Sequence, residues 1–293
     1  MFLISAEKFS LWKKKQISKG GDNHSLNLLL ESLGGLSNIE LNLLKINSKK
    51  NLNLKVNLDL IESFWDKHLN TSIPIQYLSG ISFWRNLKLE VSNRVLIPRP
   101  ETELIIDIIS GIFKNKEEKI TFVDLGTGSG AISIALALEN PNWNGIATDI
   151  DKNAIEIASR NFATNSNQSN LKFYNGNWWD PLKNFKGEID FAVSNPPYIP
   201  QETYEVLPKE VKSFEPKLAL LGGKEGLDHI NEIVQNAPLY LKDKGWLLIE
   251  NHFDQGEKVK KLFLENRFTS VKVLKDFSGI GSFSIGRYNY IIS

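Results

Sequence analysis

Asp124-Leu125-Gly126-Thr127-Gly128-Ser129-Gly130 stands between the apolar run Ile120 to Asp124 and a stretch of Ala, Ile and Leu from Ala131 to Glu139. The first flank reads as a buried strand and the second as a helix, so the glycines form the turn between them. Glycine is the residue for a tight turn that a ligand must approach at the backbone. A helix that begins there points its N–H groups at whatever occupies the turn. Asp149 closes the next apolar run, Gly145 to Asp149, 19 positions after Gly130, where an acid can accept from ribose hydroxyls. A plain ligand-free turn would explain the glycines but not the agreement of strand, loop, helix and distant acid. Counted to Ala131, the loop also satisfies G-x-G-x-x-G/A, so at this point a nicotinamide or flavin site stays open.

The alternation continues outward. Helix patterns cover Ala154 to Ala163 and Ile230 to Leu241. Strand patterns cover Leu171 to Tyr174, Ile189 to Val193, Trp246 to Glu250, Val271 to Leu274 and Tyr288 to Ile292. Strands separated by helices predict an α/β fold, a parallel sheet with helices on both faces. Upstream, Leu26, Leu29, Leu30 and Leu33, and then Leu60, Ile61, Phe64, Trp65 and Leu69, recur at helical spacing. Asp59 is the expected cap of the second helix, with Glu62 completing a capping box. Residues 1–72 are therefore expected to be a small all-helical domain. Residues 73–97 are expected to be a connecting β-hairpin turning near Ser92-Asn93, and residues 98–293 the main domain. A helix is expected to start at Pro100 or Thr102.

Ser194-Asn195-Pro196-Pro197-Tyr198 follows the strand Ile189 to Val193 directly, at the sheet edge where open α/β folds bind ligands. Alone, two prolines after a strand read as a rigid terminator. Behind a glycine loop and an acid, they suit methylation of a planar nitrogen. The lone pair of an amide or aromatic amine is delocalised, and its two N–H groups need two fixed acceptors. The Asn195 side-chain oxygen and the Pro196 carbonyl can serve, and Tyr198 offers a face to the flat group. No histidine or cysteine lies in the loop, so no strong general base is implied.

Further motifs appear in a fixed order: Pro74-Ile75-Gln76-Tyr77-Leu78-Ser79-Gly80 with Phe83, Leu96-Ile97-Pro98-Arg99-Pro100-Glu101-Thr102-Glu103, Phe214-Glu215-Pro216 and Ala219-Leu220-Leu221-Gly222-Gly223. Together with Asp124 to Gly130 and Asn195 to Tyr198, over most of the chain, they resemble the protein-(glutamine-N5) methyltransferases of peptide chain release factors (the HemK/PrmC family). These are class I S-adenosylmethionine-dependent enzymes. The resemblance implies a Rossmann-like seven-stranded sheet behind a helical domain and a hairpin. It implies S-adenosyl-L-methionine as cofactor, leaving as S-adenosyl-L-homocysteine. Gly126, Thr127, Gly128, Ser129 and Gly130 would lie beside the cofactor, Asp149 at its ribose, Trp178 near its adenine and Asn195 between cofactor and substrate. Asn195, Pro196, Pro197 and Tyr198 would hold the glutamine of the release factor's Gly-Gly-Gln loop, with Asn195, Pro196 and Tyr198 catalytic. Arg99 to Glu103 would border the same cleft. Asn251-His252-Phe253-Asp254-Gln255 departs from the family's Gly-Tyr before Asp-Gln, and Asp276 to Gly281 lacks the usual basic residues after its glycine.

Composition excludes other classes. The chain has 293 residues, 41% of them hydrophobic, which rules out global disorder. Its 35 Lys and Arg against 34 Asp and Glu give a formal charge of +1. Such a chain has no bulk electrostatic hold on nucleic acid, which disfavours the alternative of an adenine-N6 or guanine-N2 methyltransferase. Lys13 to Lys15 and Lys49-Lys50, the densest basic runs, read as solvated faces. A non-catalytic binding module is disfavoured by the intact glycine loop and Asn195. The absence of cysteine excludes disulfides, thiolate metal sites and thiol nucleophiles, and the four histidines lack ligand spacing, so no metal is expected. No apolar run is long enough to span a membrane, and the short apolar start is no signal peptide. The expected location is cytoplasmic, with a release factor as protein partner and no direct contact with nucleic acid or membrane.

Overall fold

The computed structural model describes residues 1–43, 51–114 and 117–290. Lys49-Lys50 and the end of the expected last strand, Ile291-Ile292, lie outside the described residues. The chain divides into two compact units, Met1–Ser82 with Lys209–Phe214, and Phe83–Pro208 with Glu215–Ser293.

The first unit gathers helices Ala6–Ser18, Asn23–Leu29 and Leu58–Thr71 around Phe9, Leu26, Leu29, Leu30, Ile61 and Trp65, all buried. The leucines at three- and four-residue spacing form one buried stripe, as their periodicity requires. Two details differ from expectation. The unit is not wholly helical, because β1 (Phe2–Ser5) pairs antiparallel with β2 (Asn51–Leu54). A four-residue strand carries too little alternation to be seen in sequence. The cap of the last helix is Asn57, whose side chain accepts from the Leu60 N–H at 2.9 Å, not Asp59. Glu62 closes no capping box there. It accepts from Lys19 Nζ at 2.6 Å and from Trp12 Nε1 at 3.2 Å.

The connector hairpin turns earlier than expected. β3 (Ile81–Trp84) and β4 (Leu87–Glu90) form a two-stranded sheet joined at Arg85-Asn86, not Ser92-Asn93. Arg85 takes a left-handed φ of 48°, which its sequence does not announce. Val95 and Ile97, read as a strand, are buried but belong to no strand.

The second unit is built on a seven-stranded sheet. Its strands are β5 (Thr121–Leu125), β6 (Asn144–Asp149), β7 (Leu171–Asn175), β8 (Ile189–Ser194), β9 (Leu241–Glu250), β10 (Phe268–Lys275) and β11 (Gly281–Tyr288), in the order β10-β11-β9-β8-β5-β6-β7. β5 pairs parallel with both β6 and β8, β8 pairs parallel with β9, and β11 enters antiparallel between β9 and β10. The last strand therefore begins at Gly281 and ends at Tyr288, rather than beginning there. Val123, Leu125, Ala192, Leu247 and Ile249 are fully buried, as continuous apolar strands covered on both faces must be. The strand order reverses at β5, and the first strands on either side are β6 and β8. Their carboxyl ends open the crevice in which such sheets take ligands.

Candidate active site

A cleft lies across the carboxyl ends of β5, β6, β7 and β8. Gly126, Thr127, Gly128 and Ser129 form one wall, Asp149 and Ile150 the next, then Asn177 and Trp178, then Asn195 and Pro197. Arg99, Thr102, Pro216 and His229 complete it. Of the residues singled out from sequence, Gly130, Pro196 and Tyr198 do not line the cleft. Gly130 caps helix Ala131–Glu139 with φ 85°, packed so closely on Ile134 and Ala158 that a side chain would collide with both.

The glycine loop is held from beneath by Asp124. This carboxylate is fully buried and accepts from Thr127 Oγ1 at 2.6 Å and from the Ser133 N–H at 3.2 Å. Burial pushes its pKa up to about 6, against the opposing pull of those donors. Asp149 accepts from the Gly128 N–H and the Asp151 N–H, both at 2.9 Å, so the acid after β6 is rigidly aimed at the loop after β5. Burial raises its pKa as well. Gly126, at φ 74°, lies against the Trp178 ring, and a Cβ there would come within 2.8 Å of Trp178 Cζ3. At Gly128 a Cβ would meet nothing within 4 Å, so the cleft is open directly above that backbone. The open backbone at Gly128, an acid beside it and an indole wall match the polar tail, ribose and adenine of a nucleoside cofactor. The residues present fit S-adenosylmethionine.

The Asn195–Tyr198 loop is clamped on three sides. Asn195 Nδ2 donates to Thr102 Oγ1 at 3.1 Å. With the nitrogen side of the amide engaged, Oδ1 is the atom left to accept from a ligand. Gln255 Nε2 donates to the Tyr198 carbonyl at 2.9 Å. The segment Leu220–Gly222 runs alongside, with the Ile199 N–H bonded to Leu220 O and the Gly222 N–H to Ile199 O, each 2.9 Å. A Cβ on Gly222 would lie 2.6 Å from Pro197 O, which is why this approach takes glycine. The Tyr198 hydroxyl points inward to Glu250 Oε1 at 3.4 Å, and burial pushes the phenol pKa up.

Sequence reading missed Glu250 and the partner of Arg99. Glu250 ends β9 as a buried acid beneath the loop. In sequence it reads as the polar end of an apolar strand. The one available signal is its place at a strand's carboxyl end, next to the strand that delivers Asn195. Arg99 pairs with buried Glu215 at 2.6 Å, joining two motifs 116 residues apart.

This fold, with its cleft over β5 to β8, defines a class I methyltransferase. The model of the methyltransferase small domain matches residues 102–212. The hMettl16 catalytic domain in complex with the MAT2A 3'UTR hairpin 6 shares the fold at TM-score 0.59 and 16% identity, over 94% of each chain. Among curated proteins, the release factor glutamine methyltransferase of Prochlorococcus marinus is 38% identical over 96% of this chain and 97% of its own length. That of Synechocystis sp. is 35% identical over 97% of both, and that of Bacillus cereus 40% identical over 74% of this chain and 76% of its own. The chain belongs to the release factor glutamine methyltransferase family. No helix among the described residues is long and apolar enough to cross a membrane.

Proposed function

We propose that the protein transfers a methyl group from S-adenosyl-L-methionine to the side-chain amide nitrogen of the glutamine in a release factor's Gly-Gly-Gln loop. The names of its relatives support the substrate. The observation that carries the chemistry is the Asn195 amide in the cleft, with its nitrogen committed to Thr102.

Bound in the cleft, S-adenosylmethionine supplies an electrophilic methyl on a positive sulfur and departs as neutral S-adenosylhomocysteine. The loop backbone from Gly126 to Ser129, the Asp149 carboxylate and the Trp178 ring would hold it. Asn195 Oδ1 accepts one N–H group of the substrate amide, and the carbonyl of Pro196, a residue set back from the cleft wall, is the proposed acceptor of the other. Both acceptors together favour a pyramidal nitrogen whose lone pair faces the methyl. Pro197 and Tyr198 keep that geometry rigid, so alignment does most of the work and can supply about 7–11 kcal/mol. The proton leaves the nitrogen after the new N–C bond has formed. Residues 1–72 serve recognition of the protein substrate, joined by residues 73–97 to the methyl-transferring residues 98–293.

Incubation with a full-length release factor and S-adenosylmethionine, followed by peptide mass spectrometry, tests the reading. One added methyl on the Gly-Gly-Gln glutamine is expected. Label on RNA or DNA, with none on the factor, overturns it.

A further inference from the structure

Glu250 is 4% exposed, and the transfer step described above makes no use of it. Its Oε1 accepts from the Tyr198 hydroxyl, while among the described residues Oε2 has no hydrogen-bond partner within range. The side chains of Thr102, Tyr198 and Asn195 all face this carboxyl, and Glu101 lies near enough to repel it. A buried acid at the floor of the substrate loop, surrounded by the groups that hold Asn195, calls for an explanation.

We infer that Glu250 is a positioning residue that acts through Thr102 to fix which way the Asn195 amide is turned. An ionised carboxylate can only accept hydrogen bonds. The Thr102 hydroxyl therefore gives its proton toward Glu250 and keeps its lone pairs for Asn195 Nδ2, which donates to it at 3.1 Å. An Asn side chain can flip its oxygen and nitrogen at almost no steric cost, so local packing does not choose between the two orientations. The polarity of the Glu250–Thr102–Asn195 relay does choose, and it leaves Oδ1 for the substrate N–H. Turned over, Asn195 would present N–H to N–H, which repels the substrate amide. The inference rests on Asn195 being the substrate acceptor and goes beyond it by naming what sets the amide's direction.

Burial pushes the Glu250 pKa up to about 7, with the neighbouring Thr102, Tyr198 and Asn195 side chains opposing the rise and Glu101 reinforcing it. Protonated, Glu250 can donate to Thr102, and the Thr102 hydroxyl is then free to donate to Asn195 Oδ1 and invert the amide. Turnover should therefore fall as pH drops through that range. The charged groups around the loop are Glu101, Arg99, which acts on Tyr198, and the His252–Asp254 pair, whose imidazole packs on Tyr198 at 6.2 Å between ring centroids. The profile is also taken in His252→Asn, which removes the imidazole packed on Tyr198.

The experiment measures kcat against pH with a full-length release factor, together with S-adenosylmethionine affinity by calorimetry. The variants are Thr102→Val, Thr102→Ser, Glu250→Met and Asn195→Ala. Thr102→Val is nearly isosteric and should lower kcat at least about tenfold with cofactor affinity within about twofold, a loss on the scale of one well-placed hydrogen bond. Thr102→Ser restores the hydroxyl and should recover most of it. Glu250→Met should lose rate and flatten the acid limb, which His252→Asn should preserve. Should Glu250→Met fail to fold, the Thr102 pair still decides. Normal turnover in Thr102→Val, or an acid limb that survives in Glu250→Met, overturns the relay. If Asn195→Ala itself turns over normally, the reading of Asn195 fails instead, and the two failures are thereby distinguished.

Discussion

Arg99 donates to Glu215 at 2.6 Å, tying the segment that enters the first helix of the second unit to the segment that braces the Asn195 loop. The Glu215 side chain is only 3% exposed and Arg99 37%, so the carboxylate depends on this one cation far more than the cation depends on it. Arg99→Ala would leave a buried charge unpaired. Full burial of such a charge costs about 3–5 kcal/mol, and the partial exposure of Arg99 reduces the expectation to about 2 kcal/mol. Glu215→Gln, which removes the charge itself, should cost about 1 kcal/mol. Urea midpoints of the two variants measure the difference, and equal losses would show that the pair is not asymmetric.

Gly126→Ala should disturb the cofactor wall more than the fold. The new methyl meets Trp178 Cζ3 at 2.8 Å and the residue must hold φ 74°. The ring will be displaced from the cleft, and affinity for S-adenosylmethionine should fall about tenfold, on the scale of losing part of one buried aromatic contact. Calorimetry reads the change, and the intrinsic fluorescence of Trp178 should shift with it. Gly128→Ala meets no atom within 4 Å but carries the strain of φ 56°, so its effect should come from the backbone and leave Trp178 in place.

Asp149→Ala removes a carboxylate that both faces the cleft and accepts from the Gly128 N–H. Hydrogen bonds to a charged group are worth about 1.5–3 kcal/mol, so cofactor binding should weaken about 10- to 100-fold while the melting temperature changes little. Unchanged affinity by calorimetry would contradict the ribose assignment.

Asn195→Ala should abolish measurable transfer, a loss of at least about 100-fold as for other single preorganised groups at a reacting centre, and should leave most of the cofactor affinity. Single-turnover transfer of labelled methyl to a release factor, set beside equilibrium binding, separates the two. Near-normal turnover would remove Asn195 from the mechanism.

Asp124 makes stability depend on pH with a sign opposite to that of a surface ion pair. Its pKa is about 6 in the folded protein against 3.8 for the free group, so the folded state binds the proton more tightly. Its contribution is fully present below about pH 4 and is lost as pH rises through 6. Glu62 behaves the other way. Lys19 holds its pKa at about 2 against 4.5, so its contribution is present above 4.5 and fades as pH falls toward 2. Denaturation of Asp124→Asn and Glu62→Gln from pH 3 to 8 should give differences from wild type that grow with pH for both, in favour of the first variant and against the second. A flat difference for either would refute the coupling.

Much of this molecule is legible in its residues. Ala131 to Glu139 is a helix from end to end as read, and the glycine loop, Asp149, Trp178 and Asn195 do meet in one cleft. Local spacing suffices there, because a glycine turn after a buried strand has one geometry and parallel strands bring their carboxyl ends to the same edge. Capping and hairpin geometry were harder to read. Asn57 and Asp59 are both competent caps, and the helix start that packing selected chose between them. Likewise Arg85 accepts a left-handed turn in a place where sequence suggested none.

By itself, the chain's sequence determined the alternation of strands and helices, the glycine loop with Asp149 and the loop that carries Asn195, since each of these follows from periodicity and residue type, whereas the seven strands and the place of Trp178 followed from the family resemblance. Only the tertiary structure decided which distant side chains support them. Arg99 meets Glu215, Thr102 meets Asn195, and Glu250 lies under Tyr198 because strand order and loop packing bring them together. A buried charge or hydroxyl acquires its partner from the fold, and nothing in its neighbours along the chain names that partner.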